Sequence, residues 1–244
     1  MGTVIAITSG KGGTGKTSIT GAVAASLALM GRRVLAIDMD IGLRNLDITL
    51  GLNDRALMDF SDVALGRCPL DRAVVGHPDL KNLFLLTAPM SLPAGLTLER
   101  VNALLAAARE EYDYVLIDSP AGLGAGFRFA TCGADRVLVV ATNDASSLRD
   151  AQRTVAELDG VRQIHLVMNR IQPKLLRKLR TTIDDAMNTA GLPLMGVVPE
   201  DAKVMLSANL GRPLTSHGRY GAAMACWNIA QRLEGLHVPV MRIH

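Results

Sequence analysis

Aromatic residues are scarce in this sequence of 244 residues, where one tryptophan, three tyrosines and four phenylalanines make up 3% of the chain. Apolar residues as a class nevertheless reach 49%. A chain of this length can bury roughly three quarters of the surface that its unfolded form exposes. We therefore expect a core of Val, Ile, Leu, Ala and Met that needs neither a disulfide nor a structural metal for stability.

Cysteine is also sparse, and the three cysteines, Cys68, Cys132 and Cys226, lie far apart in the sequence. Their spacing contains neither a CxxC pair nor a metal-binding pattern. An odd, scattered set of this kind is typical of buried thiols in a reducing cytosol.

A strong excess of one charge and long apolar runs are both absent. Lys and Arg number 26 against 23 Asp and Glu, a net charge of +3, which by itself indicates no polyanionic partner. No apolar run approaches the roughly 18 residues of a membrane span. Because the first apolar run follows Met1-Gly2-Thr3 directly, we expect no signal peptide and a cytoplasmic protein.

Seven short apolar runs recur along the chain, each continuous rather than alternating, as in strands that are covered on both faces. They span residues 4–7, 34–37, 83–86, 114–117, 137–141, 164–168 and 195–198. Helix-like segments occur at 16–30, 56–65, 97–110, 146–158, 173–190 and 219–235. This alternation predicts an α/β fold, a doubly wound, mostly parallel sheet with helices on both faces. Because no linker or repeat interrupts it, we expect residues 1–244 to form a single domain.

A glycine-rich turn occupies residues 8–18, Thr-Ser-Gly-Lys-Gly-Gly-Thr-Gly-Lys-Thr-Ser, between the first apolar run and the first helical segment. This order of strand, turn and helix predicts a P-loop, in which backbone N–H groups and the helix dipole bind a polyphosphate. Lys16 is expected to reach the β- and γ-phosphates and Thr17 to ligate Mg²⁺. The residues expected to surround the phosphates are Gly12, Gly13, Thr14, Gly15, Lys16, Thr17 and Ser18.

Acidic residues follow the second and fourth apolar runs. Asp118 ends its apolar run in the pattern of a Walker B motif, so we expect it to hold Mg²⁺. In many proteins with this motif, a water molecule lies between the carboxylate and the ion. Asp38 and Asp40 lie two apart at a strand end and should point to opposite sides. We assign Asp40 to orient, or accept a proton from, the attacking water. Asp38 is its structural partner and a second candidate at the metal.

Lys11 is a second lysine in the same loop, five positions before Lys16. With this lysine and the segments 37–46, 118–122, 146–150 and 199–201, the sequence resembles the MinD/ParA family of deviant Walker A ATPases, and its MinD branch most. The likeness runs from residue 4 to about residue 213. It implies hydrolysis of ATP with Mg²⁺ by Lys11, Lys16 and Asp40. It also implies a homodimer that forms on ATP binding, in which Lys11 reaches the partner's phosphates.

The resemblance further implies where other site residues lie. The adenine pocket would include Asn169, Arg170 and Pro199. The dimer interface and partner surface would include Lys11, Arg44, Asn45, Ser147 and Asp150. The implied function is an ATP-gated dimerising switch that places the division septum, recruits a division inhibitor or activator protein, and works at the inner face of the cell membrane.

The C-terminal segment departs from the family. Members of the MinD branch end in a basic amphipathic helix that inserts into the membrane, which requires cations on one face and large apolar residues on the other. Residues 231–244 contain two arginines, no lysine and a proline, with almost no room for a helix after Gly235. Membrane association by that route is therefore doubtful. Just before it, Tyr220, Met224, Trp227 and Leu233 predict a helical stripe that faces the core.

The segment 173–180, Pro-Lys-Leu-Leu-Arg-Lys-Leu-Arg, predicts a basic helix whose Leu175, Leu176 and Leu179 pack inward. Such a helix commonly forms a solvated face, and it also suits a DNA backbone or an anionic lipid. Two alternatives stay open: a ParA-like, DNA-associated partitioning or positioning ATPase, and a nucleotide-gated binding module with negligible hydrolysis. The five histidines are scattered and are interpreted as surface or packing residues.

Overall fold

An eight-stranded sheet lies at the centre of the molecule, a computed structural model that describes residues 1–241. The strands are β1 (Thr3–Thr8), β2 (Val34–Asp38), β3 (Val75–Gly76), β4 (Leu83–Leu86), β5 (Tyr114–Asp118), β6 (Arg136–Ala141), β7 (Gln163–Ile171) and β8 (Leu194–Pro199). Their order is β3-β4-β2-β5-β1-β6-β7-β8, and only the β3–β4 pair is antiparallel. The seven predicted strands and the α/β fold class are confirmed. The short edge strand β3 was not predicted.

Helices cover both faces of this sheet. They are α1 (Lys16–Leu29), α2 (Leu46–Leu50), α3 (Phe60–Ala64), α4 (Leu70–Ala73), α5 (Leu98–Glu111), α6 (Ala125–Thr131), α7 (Ala145–Ala156), α8 (Pro173–Leu179), α9 (Ile183–Ala190), α10 (Ala202–Asn209) and α11 (Gly221–Leu233), with a 3₁₀ helix at Leu214–His217. The single helix predicted over 173–190 is wrong. Arg180 takes a left-handed φ of 52° that ends α8, and Thr182 with Asp185 forms a capping box that begins α9.

Two aliphatic layers sandwich the sheet, because successive side chains of a strand point to opposite faces. In β1, Val4 and Ala6 belong to the layer that also contains residues of α5, α7 and α9, whereas Ile5 and Ile7 belong to the layer that contains residues of α1, α2 and α11. All four side chains are fully buried. The central strands are therefore enclosed on both sides, which explains their continuous apolar sequences.

Helix α11 buries a different stripe from the predicted one. Leu233 is buried as expected, but Tyr220 is 53% exposed, and Met224 and Trp227 are only half-buried. The buried residues of the helix are mostly small: Ala222, Ala223, Ala225, Cys226, Ile229, Ala230 and Leu233. Small residues let α11 lie close to the alanine-rich helix α1. The Trp227 ring instead stacks beneath Arg219, whose guanidinium carbon lies 3.5 Å from the ring centroid.

The cysteines only partly match the prediction of buried thiols. Cys226 is buried, whereas Cys68 and Cys132 are partly exposed. Burial raises the pKa of Cys226 to about 12 and that of Cys132 to about 11, so both thiols stay protonated at neutral pH.

The sheet topology brings the predicted site residues together at the carboxyl ends of the parallel strands. Because β1, β2 and β5 to β8 are parallel, their carboxyl ends lie on the same side of the sheet, where sites in such folds form. Asp38 and Asp118 end neighbouring strands and are direct register partners. The loop that follows β1 lies beside them, between β5 and β6.

Candidate nucleotide-binding site

The glycine-rich loop between β1 and α1 forms an open cradle. Gly13 and Gly15 have left-handed φ values of 79° and 90°, which a side chain would strain. A Cβ on Gly15 would lie 2.3 Å from Nδ2 of Asn169. Within residues 1–241, no backbone N–H group of residues 11–15 donates a hydrogen bond to another protein group. A row of free donors at a helix N-terminus fits a bound polyphosphate.

Lys16 is the first residue of α1 and is buried beneath this cradle. Burial lowers the pKa of its amine, and the nearby carboxylates of Asp118 and Asp40 oppose that shift. The amine therefore lies within electrostatic reach of two acidic groups. This position places positive charge where a phosphate chain would lie.

Thr17 and Asp118 form the oxygen-rich part of the site. The Thr17 hydroxyl donates to Oδ2 of Asp118 at 2.6 Å, and Thr20 donates to Oδ1 at 3.2 Å. Burial and the neighbouring Asp38 raise the pKa of Asp118 to about 7. A hydroxyl beside a carboxylate is a donor set that suits Mg²⁺, which prefers oxygen ligands and leaves most of its positions to water and phosphate. In the described part of the chain, no three His, Cys, Asp or Glu residues cluster as a metal site, so phosphate oxygens would have to complete such a set.

Asp38 braces the loop that follows β2. Its Oδ1 accepts the N–H of Asp40 at 2.8 Å, and its Oδ2 accepts the N–H of Leu46 at 3.0 Å. Burial raises its pKa to about 6. Because both oxygens already hold the backbone, Asp38 is a weaker candidate for a metal ligand than Asp118. Its position fits the predicted role as structural partner of Asp40.

Asp40 is half-buried at the start of the same loop. Burial raises the pKa of its carboxyl group, and the charge of Lys16 lowers it. Asp40 therefore stays close to Lys16 yet reaches solvent, as a group that orients a water molecule must.

A cavity of about 550 Å³ opens beside the cradle and contains the residues predicted to surround adenine. Gly13, Gly15 and Ser18 line one side, and Asn169, Arg170 and Pro199 line the other. The Asn169 amide donates to the carbonyl of Thr14 at 2.7 Å, which ties this wall to the phosphate loop.

Glu200 is a residue of this wall that the sequence prediction missed. Nε of Arg170 donates to its carboxylate at 2.8 Å, and Arg170 holds a left-handed φ of 57°. This ion pair fixes the rim of the cavity. The signal in the sequence was the acidic pair that follows Pro199 at a strand end.

Lys11 lies at the exposed rim of the loop, away from the buried Lys16. Its Nζ donates to Oδ1 of Asp144 at 3.2 Å and to the Ser146 hydroxyl at 2.9 Å. Asp144 also caps α7 through the N–H of Ser147 and accepts from the Thr142 hydroxyl. Partial burial opposes ionisation, but these hydrogen bonds hold the pKa of Asp144 well below its usual range. Asp144 was not among the predicted site residues.

The predicted interface residues lie on two neighbouring segments. Arg44, half-buried with a left-handed φ of 47°, and Asn45, exposed, follow Asp40. Asp150 is half-buried, with Oδ1 3.7 Å from Nη1 of Arg153. The prediction for Ser147 needs correction, because its side chain is only 3% exposed and its hydroxyl accepts the N–H of Thr142 at 3.0 Å. The neighbouring Ser146 is exposed and points to the rim instead.

A parallel sheet with a glycine cradle, a buried lysine and a hydroxyl–carboxylate pair at its carboxyl edge defines a P-loop nucleotide-binding protein. Comparison with known proteins narrows this class. Residues 5–214 match the family described as "CobQ/CobB/MinD/ParA nucleotide binding domain". The chain therefore belongs to this family, as a MinD-type ATPase of septum-site determination in cell division.

Individual relatives are similar over nearly their full length. The septum site-determining protein MinD of Bacillus subtilis (strain 168) is 38% identical over 246 residues, which cover 98% of this chain and 92% of the relative. The MinC:MinD cell division protein complex of Aquifex aeolicus has a matching chain at 36% identity and a TM-score of 0.91, with 98% of both chains covered. MinD of Pyrococcus horikoshii OT3, complexed with Mg-ADP, matches at 28% identity and a TM-score of 0.83, with 96% of both chains covered.

Proposed function

We propose that this ATPase is switched by dimerisation, with Lys11 of each protomer binding the phosphates held by its partner. The proposal rests on the different exposure of the two lysines in the loop. Lys16 is buried beneath its own cradle, whereas the Lys11 side chain is 43% exposed at the rim. An exposed amine on the outer side of a phosphate site is free to contact a second molecule that closes over it.

Dimer formation requires Lys11 to leave its own protomer. In the single chain, its amine is bound to Asp144 and Ser146. An exposed ion pair of this kind contributes at most about 1 kcal/mol, so a triphosphate presented by the partner can displace it. Nucleotide binding thereby favours the dimer by mass action.

Hydrolysis then uses groups that already surround the cradle. Asp40 orients the attacking water and accepts its proton, and the amine of Lys16 stabilises the charge that develops on the transferred phosphoryl group. Thr17 and Asp118 are the residues that would hold Mg²⁺, which supplies positive charge to the phosphate oxygens when bound. Gly12 to Ser18 bind the phosphates through backbone N–H groups. Asn169, Arg170 and Pro199 enclose the base in the cavity beside them.

The partner of the switched dimer is a division inhibitor or activator protein. Support comes from the Aquifex aeolicus relative, which is in a complex with MinC. On this chain, the exposed residues at the start of α7 and the loop around Arg44 and Asn45 adjoin Lys11 or Asp40 and would report the dimer state. Within residues 1–241, no helix has the length and hydropathy that crossing a membrane requires. We place the protein in the cytoplasm, with access to the inner face of the cell membrane.

A Lys11→Ala variant tests the dimer. ATP with Mg²⁺ should convert the native chain from monomer to dimer in analytical ultracentrifugation, and Lys11→Ala should stay monomeric. Nucleotide affinity of the monomer should change less than about threefold, because Lys11 is outside the cradle. Lys81→Ala, at an exposed lysine away from the site, is the matched control. An unchanged dimer in Lys11→Ala would refute the role across the interface.

Hydrolysis is tested separately with Asp40→Ala. Loss of a group that positions water and accepts a proton should lower phosphate release by about 10²- to 10⁴-fold while ATP still drives dimerisation. Equal phosphate release by the native chain and the variant, both at background, would mean that the chain is a nucleotide-gated binding module without hydrolysis.

A further inference from the structure

Helix α8 is exposed along its length, contrary to the prediction that its leucines pack inward. None of its seven residues is buried. Leu175 and Leu179 are 42% and 52% exposed, and of the three leucines only Leu176 packs against the core. Leu175 lines the cleft beside Lys11 and the glycine-rich loop. This helix therefore borders the surface that the proposed dimer would cover.

A second cavity, of about 500 Å³, lies between the end of α2 and the turn that follows α10. The end of α1 and the segment between β3 and β4 complete its walls. It shares no lining residue with the nucleotide cavity or with the cleft beside Lys11. Its volume lies in the range of sites that bind small molecules. We call it the α2–α10 cavity.

One part of the α2–α10 cavity is apolar. Leu29, the last residue of α1, and Leu210, which follows α10, both line it and are 48% and 54% exposed. Pro78, Leu80 and Pro213 line it with them. Exposed apolar side chains around a concave space favour a ligand with an apolar body, because binding removes their surface from water.

The other part of the α2–α10 cavity is cationic. Arg55 and Arg212 both line it, and neither forms an ion pair in the described residues 1–241. Asp79 is the only acid among its described lining residues, so positive charge is in excess. Both ring nitrogens of His77 already bond to the backbone. Recognition of an anion in this cavity therefore falls to the two arginines.

The α2–α10 cavity and the nucleotide cavity share a wall. Residues 210–213 line the former, whereas residues of α10 and Leu214 of the 3₁₀ helix line the latter. The turn after α10 also touches α2, since a Cβ on Gly51 would lie 1.9 Å from the carbonyl oxygen of Gly211. A change in how α2 packs against this turn would therefore reach the nucleotide cavity.

We propose that the α2–α10 cavity is a regulatory site for a small organic anion, which carries a carboxylate or phosphate group on an apolar body. The anionic group would lie between Arg55 and Arg212, and the apolar body would contact Leu29 and Leu210. A small inorganic anion would leave the leucines in water, and a neutral apolar molecule would leave the arginines without a partner. Both halves of the ligand are therefore required.

The position of the two arginines gives the direction of the regulation. Arg55 follows α2 and Arg212 lies in the turn after α10, so their like charges oppose the packing of these two elements. An anion between them removes this repulsion and holds the α10 wall in place, so nucleotide should bind more tightly. By linkage, nucleotide should tighten binding of the anion by the same factor. This inference goes beyond the proposed dimer switch and requires only that the chain binds nucleotide.

NMR titration of the full chain with naphthoate, a carboxylate on an apolar body, tests the site. Saturating Mg-ADP keeps the probe out of the glycine-rich loop. Naphthoate should shift the amide resonances of Gly51 and Gly211, with a Kd in the millimolar range or tighter. Naphthalenemethanol, which has no charge, and acetate, which has no large apolar body, should each bind at least roughly tenfold more weakly.

Variants of the cavity separate its two halves. Arg55→Gln/Arg212→Gln should weaken naphthoate binding by roughly tenfold or more, because the carboxylate loses its charged partners. Leu29→Ala/Leu210→Ala should weaken it by roughly tenfold, because less apolar surface leaves water. Neither pair lies in the glycine-rich loop.

Matched control variants exclude general effects of charge or of exposed apolar surface. Arg100→Gln/Arg162→Gln removes two exposed arginines elsewhere. Leu92→Ala/Leu179→Ala truncates two leucines that are 56% and 52% exposed. Both control pairs should bind naphthoate as the native chain does, and thermal unfolding verifies that every variant is folded.

Calorimetric titration with Mg-ADP, with and without saturating naphthoate, tests the regulation. ADP lacks the γ-phosphate, so the result does not depend on the proposed dimer. Naphthoate should raise the affinity of the native chain for Mg-ADP by roughly fivefold. Arg55→Gln/Arg212→Gln should abolish this increase. Because dimerisation with ATP is measured separately, failure here is distinguishable from failure of the proposed function.

Three results would overturn the proposal. The first is naphthoate that shifts resonances of the glycine-rich loop and leaves those of Gly51 and Gly211 in place. The second is naphthoate binding that Arg55→Gln/Arg212→Gln leaves unchanged. The third is an affinity for Mg-ADP that bound naphthoate lowers or does not change, which would refute the regulatory role.

Discussion

Asp144 determines where Lys11 rests in the single chain, and a conservative change isolates that effect. Asp144→Asn keeps an oxygen that can cap α7 but removes the charge 3.2 Å from Nζ of Lys11. Each dimer would otherwise break two such ion pairs, each worth at most about 1 kcal/mol, so ATP-dependent dimerisation should occur at a protein concentration up to about 30-fold lower. Sedimentation equilibrium at several protein concentrations measures this shift.

Stability provides the control for that variant. An exposed ion pair contributes little, so the free energy of unfolding should change by less than about 1 kcal/mol. Weaker dimerisation by Asp144→Asn would show that Asp144 helps to present Lys11 to the partner rather than restraining it.

His77 should make stability depend on pH. Its Nε2 bonds to the carbonyl of Leu50, and its Nδ1 accepts the N–H groups of Asp79 and Leu80, so the folded chain holds the neutral ring. Burial lowers its pKa below the ordinary 6.5; nearby Asp79 opposes this shift and Arg55 adds to it. The unfolded state therefore binds more protons on acidification. The His77 contribution to the free energy of unfolding should therefore fall below about pH 6.5, by at most about 1.4 kcal/mol per pH unit. Protonation of Asp118 and Asp38, whose pKa values burial raises to about 7 and about 6, acts in the opposite direction over the same range.

Urea unfolding between about pH 7.5 and pH 5.5 measures this slope. Because the carboxyl contributions are the same in both proteins, His77→Gln should lose less free energy of unfolding than the native chain, or gain more, on acidification over this range, even if it is less stable throughout. His165, whose pKa burial also lowers, contributes in the same direction in both proteins. An identical slope in His77→Gln would contradict this assignment.

The sequence predicted which residues of the phosphate loop come together, but not which side chains near the loop are exposed and which are buried. Lys16, Thr17 and Asp118 converge as their spacing suggested. Ser147 and Asp144 did not follow the pattern, because the capping geometry of α7 turns one hydroxyl inward and points one carboxylate at Lys11. Side-chain rotation at a helix start depends on local hydrogen bonds that periodicity does not contain.

At the scale of secondary-structure elements, the C-terminal end of α2 packs closely against the turn after α10. Gly51 has a φ of 68°, and a Cβ there would lie 1.9 Å from the carbonyl oxygen of Gly211. Gly191 ends α9 with the same φ but has open space around it, so it is a matched control. Gly191→Ala should cost about 1 kcal/mol for its left-handed conformation, and Gly51→Ala about 2 kcal/mol more for the clash.

Chemical denaturation of the two alanine variants compares these costs directly. Because α10 lines the nucleotide cavity, Gly51→Ala should also lower nucleotide affinity, whereas Gly191→Ala should not. Equal destabilisation by the two substitutions would mean that the backbone contact at Gly211 relaxes without cost.

The positions of the buried strands were predictable from the sequence, and the bounds and faces of the surface helices were less so. The buried strands gave continuous apolar runs because helices cover both of their faces. The break at Arg180 was not predictable, because a left-handed arginine leaves no trace in the hydrophobic pattern. The buried face of α11 was predicted wrongly because the helix packs against α1 through small residues. The prediction had instead placed the large side chains of Tyr220, Met224 and Trp227 in the core.

At the scale of the whole molecule, we propose that residues 1–244 form one cooperative domain, since all eight strands share one sheet. Ile5 is buried on one face of that sheet and Ile37 on the other. Ile5→Val and Ile37→Val should each lower the free energy of unfolding by about 1 kcal/mol. Both should shift the same single transition in calorimetry. Two transitions, each moved by only one variant, would show two separate domains.

The central position of β1 has a consequence for the nascent chain. Strand β1 pairs only with β5 and β6, which begin more than 100 residues later, at Tyr114 and Arg136. Until those residues emerge, the first strand has no neighbour, and the loop behind it has no fixed support. The apolar strand β1 must therefore be kept from aggregating while the more than 100 residues between it and β5 are made.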